Sequence, residues 1–143
     1  MVETKTKRDV LKVVRERNVS FIQLWFTDVL GVQKIFSITP SELEEGMEEG
    51  MGFDGSSIAG FCRIEESDMI AMPDPATFQI VPWRPSDRPV ARMICDIYNP
   101  DGTPFVGCPR MTLKRVIAMA EARGVQMNAG PEAEFFLFQA RDG

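Results

Sequence analysis

The chain has 143 residues, 44% hydrophobic and 26% charged, which excludes a disordered polymer and leaves room for one domain plus the opening of another. Its net charge of −5 argues against nucleic acid or an anionic membrane as a partner, and no stretch approaches the roughly 18 apolar residues of a membrane span. The absence of histidine rules out histidine-dependent catalysis by these residues alone, and three scattered cysteines (Cys62, Cys95, Cys108) fit neither a disulfide framework nor a zinc cluster, so a reducing, cytoplasmic setting is expected.

Between Thr6 and Asn18, Val10, Leu11, Val13 and Val14 fall on one face of a 3.6-residue period, which predicts a short amphipathic helix. The basic residues Lys7, Arg8, Lys12, Arg15 and Arg17 around it read as a solvated face. From Phe21 to Thr27, Ile22, Leu24 and Phe26 alternate with Gln23, Trp25 and Thr27, as in a half-buried strand. Asp28-Val29-Leu30-Gly31 supplies a turn, and Val32 to Ile38 returns as the second strand of a hairpin.

Thr39-Pro40-Ser41-Glu42 combines a cap, a proline at the first helical position and a glutamate three residues past the cap. A helix should begin there and end by Gly50. Met51 to Glu66 holds Gly52, Gly55 and Gly60 without a sustained period and reads as an ordered loop. Short strands are expected at 69–72 and 77–81 and a longer one at 90–97, with prolines between them.

Asn99-Pro100-Asp101-Gly102-Thr103-Pro104 is turn-rich and marks a domain boundary, dividing 1–104 from 105–143. Leu113, Val116, Ile117 and Ala120 then define a helix face ending at Gly124, followed by a strand from Glu132 to Gln139. The pattern is an α+β domain with a further helix and strand that have no partners in the chain.

Two constellations could carry chemistry. In the predicted strand after Gly130-Pro131, Glu132 and Glu134 project from one face and Ala133, Phe135 and Leu137 from the other. Two carboxylates side by side call for a cation, and Mg²⁺ or Mn²⁺ accepts such oxygen ligands; a wet edge-strand end accommodates them equally well. The second is Gly52-Phe53-Asp54-Gly55-Ser56-Ser57, where glycines permit close backbone approach to a ligand and Asp54 offers a carboxylate; a plain Asp-Gly turn reads the same way. No Gly-Lys-Ser/Thr phosphate loop is present. Arg63 has Glu65 and Glu66 nearby as ordinary surface partners.

Taken in order, Gly52-Phe53-Asp54-Gly55-Ser56-Ser57, Glu66-Ser67-Asp68-Met69, Asn99-Pro100-Asp101-Gly102-Thr103-Pro104 and Gly130-Pro131-Glu132-Ala133-Glu134-Phe135 resemble the N-terminal part of a type I glutamine synthetase. The resemblance runs from about Asp9 to Gln139, and Gly60-Phe61-Cys62-Arg63-Ile64-Glu65-Glu66 is most like the feedback-inhibited branch of Gram-positive type. It implies a β-grasp-like N-terminal domain followed by the first helix and strand of a truncated catalytic domain. It also implies an ATP-dependent ligation of ammonia to glutamate through γ-glutamyl phosphate, in a homo-oligomer of two stacked six-membered rings.

By motif match, Glu132 would bind the metal that touches the ATP phosphates, and Glu134 the metal nearer glutamate. Asp54 would bind ammonium and take its proton on behalf of a neighbouring subunit's metals, with Ser57 shaping the substrate loop and Arg63 resembling the arginine of glutamine feedback. The family's later glutamates, metal-binding histidine and arginines have no counterpart in these residues, so an N-terminal fragment inactive by itself is expected. Two other readings stand beside this one: a relative that ligates glutamate to an organic amine, and a free-standing β-grasp interaction module without catalysis.

Overall fold

The computed structural model describes residues 6–56, 68–84 and 87–139. Helix α1 spans Lys7–Glu16, and the Thr6 hydroxyl accepts from the Asp9 amide at 3.2 Å to cap it. Its buried face is Val10, Val13 and Val14, three of the four residues of the stripe read from the sequence, with Leu11 only partly buried. Strand β1 (Phe21–Thr27) and strand β2 (Gln33–Ile38) form the expected antiparallel hairpin, with Leu24 opposite Phe36 and Phe26 opposite Lys34.

The hairpin turn is organised by Asp28. Its Oδ1 accepts from the amides of Leu30 and Val32, both at 2.9 Å, Lys34 Nζ lies 3.5 Å from Oδ2, and Gly31 takes a φ of +82°. Burial pushes the Asp28 pKa up, yet the amides of Val32 and Leu30, with Lys34 beside them, hold it below the ordinary value.

The expected cap at Thr39 forms only in part: Glu42 Oε2 accepts from the Thr39 amide and hydroxyl, each at 2.7 Å, but the residue that caps the helix is Glu42, without a side-chain cap bond. A tight turn occupies Pro40 to Glu42, so the regular helix α2 begins only at Leu43 and runs Leu43–Glu48. Gly50, at φ +80°, reverses the chain where a Cβ would collide with Ile70.

The loop expected from Met51 differs in its first part, because Met51–Asp54 is strand β3 and pairs antiparallel with residues 68–71. A four-residue strand containing Gly52 carries little local signal; its partner defines it. Residues 57–66 of that expected loop lie outside the described residues. The two short strands expected around Pro73 and Pro75 are one, β4 (Asp68–Ile80), with an irregularity between Asp74 and Gln79 where it pairs with β5 (Val90–Tyr98). Beyond Ala71, β3 no longer flanks β4, and that open side tolerates prolines.

The sheet order is β2-β1-β5-β4-β3, with β1 and β5 parallel and all other neighbours antiparallel. A hairpin feeding a helix and returning to pair a central parallel strand is the β-grasp arrangement within an α+β fold. Helices α1 and α2 touch each other and both pack on β4. The core lies between them and one sheet face: Ile22, Leu24, Ala71, Met93, Cys95 and Ile97 join Val10, Leu43 and Met47. Helix α3 (Pro109–Glu121) follows the turn-rich segment, and Gly124 ends that stretch at φ +71°.

The strand expected from Glu132 to Gln139 is absent, since residues 125–139 have no regular secondary structure. A strand needs a neighbour for its backbone hydrogen bonds, and among the described residues none lies alongside. Neighbouring residues of both parities face solvent, with Phe135 75% and Phe136 86% exposed.

Leu24 is fully buried at the sheet centre, so Leu24→Ala should lower stability by about 2–5 kcal/mol. Urea denaturation followed by far-UV circular dichroism measures this as a lower midpoint with unchanged slope.

Candidate functional site

Strand alternation on β3 sends Phe53 inward, where its ring packs 4.9 Å from Phe26 and 6.0 Å from Phe36, centroid to centroid. The next residue, Asp54, therefore stands outward at the strand end, exposed and opposite Asp68 of β4. Its Oδ1 accepts from the Ser56 hydroxyl at 2.6 Å and the Ser56 amide at 2.8 Å. Those two bonds, the hydroxyl first, hold the Asp54 pKa below 3.8 and keep it a carboxylate at neutral pH. Anchored by an aromatic cluster on one side and oriented by Ser56 on the other, this exposed carboxylate offers a negative charge to a cation.

Ser57 and Arg63 lie outside the described residues. Glu132 and Glu134 are described, and both are exposed in the segment without secondary structure, so the common direction that a strand would impose on them is not formed. Among the described residues, no group of three His, Cys, Asp or Glu side chains gathers closely enough to hold a metal ion. The glutamates are hard oxygen donors of the type Mg²⁺ or Mn²⁺ takes, but their site is not assembled.

One polar cluster was not anticipated from the sequence. Arg110, in the first turn of α3, donates through Nη1 to Asp96 Oδ1 and through Nη2 to Asp74 Oδ2, each at 2.6 Å, while Lys114 donates to the other Asp96 oxygen. Asp74 and Asp96 sit on adjacent strands on the sheet face opposite α1 and α2. A signal was present: Asp96, with Arg92, interrupts the apolar run of Val90–Tyr98, and Arg110 and Lys114 are four residues apart on one helix face. On the same sheet face, Arg92 lies 5.2 Å from the centre of the Trp25 ring and donates to the Thr77 carbonyl at 3.0 Å.

The geometry defines a β-grasp domain with an outward carboxylate on its short edge strand, joined through a charged helix to a segment bearing paired glutamates. Residues 18–100 match the family model for the glutamine synthetase beta-Grasp domain, and residues 106–143 match that for the glutamine synthetase catalytic domain. The chain belongs to the glutamine synthetase family. Over 139 residues it is 55% identical to a glutamine synthetase of Methanosarcina mazei, covering 97% of this chain and 31% of that protein. Over 134 residues it is 54% identical to one of Clostridium saccharobutylicum (94% and 30%) and, over 137 residues, 51% identical to one of Staphylococcus aureus (95% and 31%). The chain thus spans about a third of the length of these relatives.

Among solved structures, a GmaS–ADP complex superposes with a TM-score of 0.72 at 31% identity, covering 79% of this chain and 25% of that one. Plasmodium falciparum glutamine synthetase shares the fold at a TM-score of 0.77 and 22% identity, over 86% of this chain and 24% of that one.

Because the Asp54 pKa is depressed, its stabilising bonds to Ser56 are fully present above pH 3.8 and are lost as pH falls through the lower folded value. Carbon-detected NMR titration should give an Asp54 midpoint below 3.8 that moves upward in Ser56→Ala.

Proposed function

We propose that these residues supply the β-grasp domain and the opening of the catalytic domain of a glutamate–ammonia ligase, with the boundary at 104/105. The observation that carries the reading is the order of the two family matches, beta-Grasp and then catalytic, along one chain. The substrates are glutamate, ammonium and ATP, the compartment is the cytoplasm, and the working form is a homo-oligomer of two six-membered rings. No helix among the described residues is long and apolar enough to cross a membrane.

Asp54 is the residue that receives ammonium. As a carboxylate it attracts the cation and then accepts a proton at an Oδ atom, leaving a neutral amine with a free lone pair. Ser56 orients the carboxylate through Oδ1, and Ser57 shapes the same loop. Glu132 and Glu134 would hold Mg²⁺ or Mn²⁺, Glu132 on the ATP side and Glu134 on the glutamate side. Bound there, a divalent metal supplies neutralisation of charge on the transferred phosphoryl group.

The site is shared between subunits, one subunit's Asp54 serving the next subunit's metals. Arg63 is assigned to feedback by glutamine, on the Gly60–Glu66 sequence that resembles the Gram-positive-type branch.

A polypeptide of these 143 residues should release no phosphate from ATP in the presence of glutamate and ammonium; measurable turnover sinks the proposal of inactivity. In a protein of the relatives' full length, Asp54→Asn should lower kcat/KM for ammonium by about 10²–10⁴-fold, the usual worth of a positioned base. Steady-state assays comparing ammonium with polyamines should show the preference for ammonium; a preference for the polyamine would reassign the substrate.

A further inference from the structure

Helix α3 has apolar residues in the expected positions, yet it buries none of its own residues, and Leu113, Val116 and Met119 are half exposed or more. Its attachment to the domain lies at its N-terminal end. Cys108 is buried immediately before the helix, and Phe105 and Met111 pack against the core from its flanks. Beside this packing is an ionic contact. Arg110 forks between Asp74 and Asp96, and Lys114, one turn later, takes the second Asp96 oxygen.

Forked guanidinium–carboxylate pairing has narrow angular tolerance, unlike packing against a greasy surface. Asp96 is only 7% exposed, so its two cations cannot be replaced by water without cost. Both strands that carry the carboxylates belong to the sheet that holds Asp54, β4 being the direct neighbour of β3. From the far end of α3 the chain leads to Glu132 and Glu134.

We propose that Asp74, Asp96, Arg110 and Lys114 form a positioning clasp, which fixes the direction in which α3 leaves the β-grasp sheet and so sets the orientation between the two family regions of the chain. The clasp acts through geometry and touches no substrate. It stands independently of the roles assigned to Asp54 and the glutamates.

Hydrogen–deuterium exchange on this chain tests it, with Asp74→Asn, Arg110→Gln and the double variant compared with the parent. Each single change should speed exchange of α3 amides about tenfold, the scale of one lost charge-assisted hydrogen bond, while β1 and β5 amides keep their rates. Because the two residues act through one another, the double variant should be no faster than the faster single. Unchanged α3 exchange, multiplicative effects in the double variant, or equal acceleration throughout the sheet would each overturn the proposal. Should Arg110→Gln not fold, Asp96→Asn, Lys114→Gln and their double are judged by the same three criteria.

Discussion

The pairing of β5 with β1 and β4 is the constraint on which the rest of the molecule depends. β5 is the middle strand of five, and its alternation serves both faces of the sheet. Ala91, Met93, Cys95 and Ile97 close the core beneath α1 and α2, while Arg92 and Asp96 project from the opposite face. Its parallel register with β1, Leu24 beside Met93, joins the hairpin to the strands that follow it in the chain. Without that register, β4 would have no central support and β3, four residues long, would have none at all. Asp54 owes its position to this chain of dependencies, in which each outer strand is held by the one inside it.

Much of this arrangement is legible in the sequence where local and global preferences agree. The valine stripe of α1, the alternation in β1 and the Glu42 carboxylate that accepts from Thr39 all specify by short-range chemistry what the fold then uses. Legibility fails where an element is defined by its partner. β3 has a glycine among four residues and is a strand because β4 lies beside it. β4 holds two prolines that read as a break, yet its outer side is open where they occur. The segment around Glu132 shows the reverse case, because a strong β pattern with no neighbour to bond is left without regular structure and exposed.

The candidate site divides along the same line. Asp54 was visible as a carboxylate in a glycine-rich stretch, and the fold adds the aromatic anchor at Phe53 and the orienting bonds from Ser56. The paired glutamates were visible through spacing and motif, but the direction of their side chains depends on a strand that these residues do not form alone. The charged cluster joining α3 to the sheet escaped notice because its four members come from three elements, and only Asp96 looks out of place along its own strand.

Cys95 lies in the middle of β5, 1% exposed, with its thiol pKa pushed up to about 12 by burial and, next, by the nearby charge of Asp96. At neutral pH almost none of it is thiolate, and the little that forms is shielded on every side. Alkylating reagents and mild oxidants therefore meet an inert sulfur for as long as the sheet is intact. The strand that organises the fold thus carries its own reporter: modification of Cys95 requires β5 to separate from its neighbours, and its rate counts those openings.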